Sequence, residues 1–159
     1  MEEECKPVIN TGLRDVVVAS TKISDVQGNV GKLIYRGYPV KELAENTTFE
    51  EAVHLLLYEK LPDKDELEPL KKQLAAERHI PAEVIAAMKV QPRDALPMDI
   101  LQAGVSMLAG YDPDTQNPPS REATSRMGIK LIAKMATIVA AWDRIRNNKE
   151  PVEPSPELS

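Results

Sequence analysis

The sequence lacks the features of secreted and membrane-spanning proteins. It has a single cysteine, Cys5, which excludes an intrachain disulfide framework and suggests a reducing compartment. No apolar run approaches the ~20 residues that span a bilayer, and the opening MEEECKPVIN has no basic segment followed by an apolar one, as a secretory signal would. We therefore expect a cytoplasmic protein with no membrane partner.

Basic charge is also scarce. The chain has 20 lysines and arginines against 25 aspartates and glutamates, which gives a formal net charge of −5. A mildly acidic chain has no overall attraction to phosphate backbones, and no basic stripe interleaved with aromatic residues is present. We predict no nucleic-acid partner.

Residues that carry chemistry are few. The chain has two histidines, and it has no glycine-rich phosphate loop, no HExxH segment and no cysteine cluster. His54 lies in the apolar run VHLLLY, where a packing role is favoured. His79 follows a charged helix, so we expect it to face solvent or to cap that helix electrostatically.

One acidic segment invites a metal interpretation. Asp112-Pro113-Asp114 resembles the start of a calcium loop, but the later glycine and glutamate ligands are missing, so an ordinary loop is favoured. The sequence therefore predicts no catalytic, no cofactor-binding and no metal-binding residue.

Length and patterning predict a helical domain with a short β segment. The 159 residues are 42% hydrophobic, enough for a core. Strand character is confined to residues 13–40, where the runs VVVAS and KLIY are separated by turn-forming residues at Ser24-Asp25 and Gln27-Gly28-Asn29. These features predict a small hairpin near the N-terminus.

Residues from about 41 to 148 have helical patterns. Thr48 with Glu51 and Asp63 with Glu66 are each spaced as a capping box at a helix start. Pro81 is expected at the first position of a shorter helix that ends by Pro92. These three helices should form an amphipathic layer.

The last two predicted helices are more apolar. The segment from Met98 to Ala109 carries one charge and several small residues, which predicts a helix buried on several sides. The final helix, at about 121–147, has apolar residues recurring at spacings of four and three, typical of a heptad-like seam. The seam residues are Met127, Leu131, Met135, Ile138, Trp142 and Ile145.

The apolar stripe of the final helix is wider than the other helices of this chain can comfortably cover. We infer a partner surface, supplied either by another copy of the chain or by a part absent from this sequence. The competing interpretation is that the final helix forms the centre of a self-contained bundle.

Three segments occur in sequence within residues 12–159: YRGYPVKELAENTTFEEAVHLLLYEKLP, ALPMDILQAGVSMLAGYDPD and LIAKMATIVAAWDRIRNNKEPVEPSPELS. Together, and in this order, they resemble the citrate synthase family. Two positions depart from the family: Leu96 stands where histidine is common, and Ala136 stands where proline is common. Without that proline, we expect a straighter long helix.

The resemblance implies a mainly α-helical fold, the N-terminal part of the citrate synthase large domain, with a small N-terminal β-hairpin. It divides the chain into a flexible N-terminus at 1–12, the domain portion at 13–148 and a truncated proline-rich exit loop at 149–159. It also implies a homodimer formed through the helices at about 98–110 and 121–147.

The resemblance also implies a reaction: condensation of an acyl-CoA with oxaloacetate, giving citrate or 2-methylcitrate plus CoA, as in the tricarboxylic acid cycle. Acyl-CoA is then a substrate, and no separate cofactor is expected. The family's condensing histidines and aspartate lie downstream, so no catalytic residue is carried over, and Arg14, Arg36 and Arg93 are not assigned to a ligand. Arg36 is expected in a structural ion pair.

Two functions follow as alternatives. In the first, this chain is the scaffold and dimerisation portion of a citrate synthase-type enzyme, a cut or split piece that is inactive without its downstream catalytic half. In the second, it is a free-standing, non-catalytic helical module that binds and regulates a synthase subunit or another partner. Acetyl-CoA and propionyl-CoA both stay open as the acyl substrate.

Overall fold

A computed structural model describes residues 12, 16–17, 19–116 and 120–155. The chain forms two compact units, residues 1–47 and 48–159. The predicted flexible N-terminus at 1–12 lies outside the described residues except for Gly12, and the exit loop is described as far as Ser155.

The first unit contains a three-stranded antiparallel sheet followed by a short helix. The strands are β1 (Ser24–Gln27), β2 (Lys32–Tyr35) and β3 (Tyr38–Pro39), in the order β1-β2-β3. The helix α1 (Val40–Asn46) packs on β2 and β3 and buries Leu43. The mainly helical fold with a small sheet is thus confirmed.

The two strand predictions had different outcomes. KLIY is strand β2, as predicted, and Gly28–Val30 forms the expected turn before it. The prediction of a strand at VVVAS is wrong, since the described residues of that run, 16–17 and 19–20, lie outside any strand. Ser24-Asp25 was predicted as a turn but belongs to β1, where Ser24 pairs with Tyr35 and Asp25 with Ile34.

Five helices make up the described part of the second unit. They are α2 (Phe49–Tyr58), α3 (Lys64–Ala76), α4 (Ala82–Lys89), α5 (Pro97–Leu108) and α6 (Arg121–Arg146). Short 3-10 turns at Ala109–Tyr111 and Pro113–Gln116 connect α5 towards α6.

Local side chains define where these helices begin. Thr48 and Asp63 each form a complete capping box, with Glu51 and Glu66 respectively, as predicted. The backbone and side chain of Thr48 donate hydrogen bonds that hold the pKa of Glu51 below its usual value. Pro81 is the residue before α4 rather than its first residue.

The second unit has two apolar clusters, and α6 contributes to both. The first cluster joins α2, α3 and the first half of α6. Its residues are Val53, Leu70, Leu74, Ile129 and Ala133. The second cluster joins α4, α5 and the second half of α6, and its largest fully buried members are Val84, Met88, Ile138 and Ile145.

Helix α5 is less buried than its sequence predicts. Only Ile100, Gly104 and Leu108 are buried, on one face, whereas Met98 is 70% exposed. The buried face approaches α6 closely, since a Cβ built on Gly104 would lie 3.2 Å from Cγ2 of Ile138. The small residues of α5 therefore permit close helix contact on one side instead of burial on all sides.

Candidate interaction surfaces of the long helix

His54 has the packing role that its sequence context favours. The side chain is buried, and its Nδ1 lies 2.9 Å from the carbonyl oxygen of Lys60. Its ring centroid lies 4.7 Å from that of Tyr58. These contacts place His54 at the loop that closes the end of α2, where Glu59 adopts a left-handed conformation with a φ of 70°.

His79 is exposed, as expected, and contributes to fastening the exit segment, which we define as residues 149–155. The Nδ1 of His79 lies 3.3 Å from Oε2 of Glu153. Lys89 pairs with Glu150, whose backbone carbonyl also accepts a hydrogen bond from Arg144. The exit segment is therefore held to α4 and to the end of α6.

The acidic segment after α5 binds cationic side chains of α6. Arg126 Nη2 lies 2.6 Å from Oδ1 of Asp114. Lys130 Nζ lies 2.7 Å from Asp112 Oδ1 and 3.0 Å from Asp114 Oδ2. The hydrogen bonds from Arg126 and Lys130 lower the pKa of Asp114 to about 2.

This arrangement gives the acidic segment a structural role. The same contacts raise the pKa of Lys130, so both partners stay charged over the ordinary pH range. Across the described residues, no group of three or more His, Cys, Asp or Glu side chains is placed to hold a metal ion. We call the four residues Asp112, Asp114, Arg126 and Lys130 the charge network.

A further lysine of α6 fastens α3. The Nζ of Lys134 lies 2.6 Å from the backbone carbonyl oxygen of Glu77 and 3.1 Å from its Oε2. Glu77 is the residue that ends α3, so Lys134 satisfies a carbonyl at the negative pole of that helix. The sequence alone does not indicate this contact, because it joins residues that are far apart in the chain.

One exposed apolar surface follows α6. Leu131, Met135 and Val139 are spaced by four residues, and their side chains are 37%, 39% and 54% exposed. Residues at this spacing lie on one side of a helix, and we call these three the apolar stripe. The predicted heptad seam therefore divides, since Ile138, Trp142 and Ile145 are buried within their own chain.

A small cavity opens beside the stripe. It has a volume of about 160 Å³ and is lined by Pro97 and Leu101 of α5 and by Val139 and Trp142 of α6, among others. The indole Nε1 of Trp142 is buried and has no hydrogen-bond partner among the described residues. A buried donor without an acceptor costs about 1–3 kcal/mol, so hydrogen bonding is incomplete in this region.

A second apolar surface lies on a different side of α6. Ala133, Ala136 and Ala140 line a groove of about 450 Å³, and we call it the alanine groove. Its other apolar lining residues are Phe49, Leu74, Ile132, Val152 and Pro154. The sequence gives one signal of this groove, since the spacing of the three alanines places them on neighbouring turns of one helix side.

The sequence assigns no ligand to Arg14, Arg36 or Arg93. Arg14 lies outside the described residues. Arg36 occupies the turn between β2 and β3 with a φ of 48°, and Arg93 lies in the exposed loop before α5. Leu96 ends that loop as an exposed residue that precedes α5.

No helix among the described residues has the length and the apolar character needed to span a membrane.

Comparison with known proteins identifies relatives of this architecture. The family model named citrate synthase, C-terminal domain, matches residues 12–159. The chain is 37% identical over 159 residues to the citrate/2-methylcitrate synthase of Bacillus subtilis (strain 168), a match that covers all of this chain and 42% of that relative.

Solved structures share the fold. Citrate synthase from Pyrobaculum aerophilum superposes with a TM-score of 0.87 at 36% identity, covering 99% of this chain and 41% of that one. The enzyme from Thermoplasma acidophilum, solved as a ternary complex with carboxymethyl coenzyme A and oxaloacetate, superposes with a TM-score of 0.80 at 28% identity over 89% of this chain. The chain spans about two fifths of the relatives that it matches, and it belongs to the citrate synthase family.

Proposed function

We propose that this chain is the N-terminal scaffold and dimerisation portion of a citrate synthase-type enzyme. The observation that carries the proposal is the superposition on 99% of this chain with a TM-score of 0.87, while only 41% of the solved relative is covered. The fold therefore matches part of a synthase, and this coverage supports the scaffold role.

The reaction of the whole enzyme is a condensation at carbon. A base removes a proton from the acyl carbon next to the thioester, the resulting enol attacks the keto carbon of oxaloacetate, and water then cleaves the thioester. The products are citrate or 2-methylcitrate and free CoA. The Thermoplasma acidophilum relative was solved with a coenzyme A derivative and oxaloacetate, which supports this substrate class for the enzyme to which we assign this chain.

The remaining part of the synthase supplies the catalytic groups in this proposal. Proton transfer at carbon needs an acid or base within hydrogen-bond reach of the substrate. The histidines here have other contacts, since His54 is buried against Lys60 and Tyr58, and His79 is paired with Glu153. The contribution of this chain is the packed helices that position the rest of the enzyme.

The apolar stripe is the surface that we assign to dimerisation. Its bulky side chains remain exposed on the longest helix, and Met98 and Leu96 expose further apolar area at the start of α5. A two-fold dimer uses the same patch on both copies, which suits a long helix presenting one apolar side. Exposed apolar patches of this kind mark association sites in soluble proteins.

A condensation assay tests the proposed function. Free CoA release is followed with oxaloacetate and either acetyl-CoA or propionyl-CoA, using this chain alone and then this chain joined to the part of the Bacillus subtilis relative that lies outside the match. We expect no release from the chain alone and release from the joined protein. CoA release from the chain alone would contradict the scaffold role. No CoA release from either protein would favour the regulatory module.

A further inference from the structure

The small cavity between α5 and α6 has the size of a small-molecule site. Its volume is about 160 Å³, and its apolar lining residues are Pro97, Leu101, Ile138, Val139 and Trp142. An apolar cavity of about 150 Å³ in another protein accommodates benzene. The cavity therefore has room for an apolar group of about six carbon atoms.

The polar lining of the cavity comes from the last turn of α6. Asp143 and Arg146 both line the cavity, and Oδ1 of Asp143 lies 3.3 Å from the amide Nδ2 of Asn147 on the same helix. Arg146 is half-buried, and it forms no ion pair with a carboxylate of the described residues. The planar set of N–H donors in an arginine side chain suits a carboxylate, so the cavity has an unused anion partner at its polar end.

A second donor beside the cavity also lacks a partner. Trp142 is 3% exposed, and no group in the described part of the chain accepts a hydrogen bond from its indole Nε1. Trp142 and Arg146 are four residues apart, which places them on the same side of successive helical turns. Buried polar groups in folded proteins are normally hydrogen-bonded, so this side of α6 lacks an acceptor.

These features together select the charge of the ligand. A neutral apolar molecule would fill the cavity but would leave Arg146 without a counter-ion. An ammonium group would meet a like charge at Arg146, and the carboxylate of Asp143 is already in contact with Asn147. A carboxylate satisfies the arginine, while an apolar body satisfies the remaining walls.

We propose that the cavity between α5 and α6 binds a small monocarboxylate, whose apolar body of about six carbon atoms fills the cavity and whose carboxylate pairs with Arg146. This inference goes beyond the proposed function, because the ligand takes no part in the condensation and every residue named belongs to this chain. Its test therefore does not depend on CoA release.

Fluorescence reports binding at this cavity directly, because Trp142 is the single tryptophan of the chain and lines the cavity. The full chain is titrated at pH 7 with hexanoate, acetate and hexylamine. Acetate keeps the carboxylate without the apolar body, and hexylamine keeps the body with the opposite charge. We expect a saturable change in emission with hexanoate and a Kd at least roughly tenfold weaker with the other two.

Two variants test the two ends of the site. Arg146→Gln removes the charge and should weaken hexanoate binding by roughly tenfold or more. Arg121→Gln, at the opposite end of α6, is the matched control and should keep the parent Kd. Val139→Phe reduces the free volume of the cavity without a change of charge, and it should also weaken hexanoate binding. Circular dichroism should show the parent helix content in all three variants.

The second copy proposed for the apolar stripe requires a separate comparison, since Val139 belongs to both the stripe and the cavity. Met135→Asp, which should abolish the dimer, should keep the parent Kd for hexanoate. Binding by Met135→Asp but not by the parent would overturn the proposal, because the second copy would then occupy the cavity.

Three further outcomes would also overturn the proposal. The first is no saturable change in emission with hexanoate. The second is an equal Kd for hexanoate and hexylamine, which would remove the role of charge. The third is an equal Kd for Arg146→Gln and the parent, with a lower melting temperature in the variant, which would leave Arg146 a structural role only.

Discussion

The two halves of α6 are attached to the molecule by different forces. The first half, residues 121–134, buries Ala123, Ile129 and Ala133 and is fastened by the charge network and by Lys134. The second half, residues 135–146, buries Ile138 and Trp142 among α4 and α5. The first half of the helix thus combines apolar packing with ion pairs near the surface, whereas the second half is held mainly by apolar packing.

This difference follows from the side chains that each half meets. Two of the three buried residues of the first half are alanines, and charged groups of the loop after α5 supply added attachment. The second half presents large side chains to other large side chains. Apolar packing responds little to salt or acid, whereas ion pairs near the surface weaken with both.

The largest expected effect removes apolar volume from the second half. Ile138→Ala deletes buried methyl and methylene groups from a side chain with no exposed area, and we expect a loss of about 2–5 kcal/mol in the free energy of unfolding. Urea denaturation with an unchanged slope measures it. Val90→Ala at the end of α4 is the control, and its exposed side chain should give a change within about 0.5 kcal/mol. Equal losses in both variants would break the comparison.

A second prediction concerns the close approach of α5 to the same half of α6. Gly104→Leu forces a branched side chain against Ile138, whose Cγ2 already lies 3.2 Å from the position of a Cβ at 104. We expect a loss of about 1–3 kcal/mol from overpacking. Gly128→Ala is the control in the first half, where a Cβ meets no atom within 4 Å, and it should gain up to about 1 kcal/mol in helix propensity. Thermal melting of both variants measures these changes. An unchanged melting temperature in Gly104→Leu would contradict the prediction.

Features set by nearby residues could be predicted from the sequence. Thr48 and Asp63 form their capping boxes with partners three residues away, so the spacing alone is sufficient. The bounds of α6 were predicted to within one residue, because Asn147 and Asn148 end it, the latter with a φ of 57°. The KLIY strand was found for a similar reason, since its side chains suit a half-buried strand.

Features set by distant partners could not be predicted in this way. The VVVAS run has β-branched residues, but strand β2 pairs with Ser24–Gln27 instead, which has a turn-like composition. The alanine groove gives no apolar peak in the sequence, and its walls come from residues as far apart as Phe49 and Val152. The predicted heptad seam is continuous, whereas the buried face of α6 changes sides near its middle.

The smallest expected effect tests the attachment of the first half. Asp114→Asn removes the carboxylate that pairs with Arg126 and Lys130. Since the folded pKa of Asp114, about 2, lies below its ordinary value of 3.8, this carboxylate stabilises the fold at pH above that ordinary value. The stabilisation is lost as pH falls through about 2. We therefore expect a lower melting temperature for the variant at pH 7, corresponding to a smaller loss of stability than in Ile138→Ala or Gly104→Leu, and a difference that shrinks as pH falls towards 2.

Amide hydrogen exchange locates this effect within α6. Local opening of the first half should increase in Asp114→Asn, so exchange at residues 121–134 should become faster while residues 135–146 keep their protection. The exposed Glu68→Gln on α3 serves as the charge-matched control and should change neither half. Faster exchange along the whole of α6 would show that the helix opens as one unit, and the two attachments would then act as a single cooperative one.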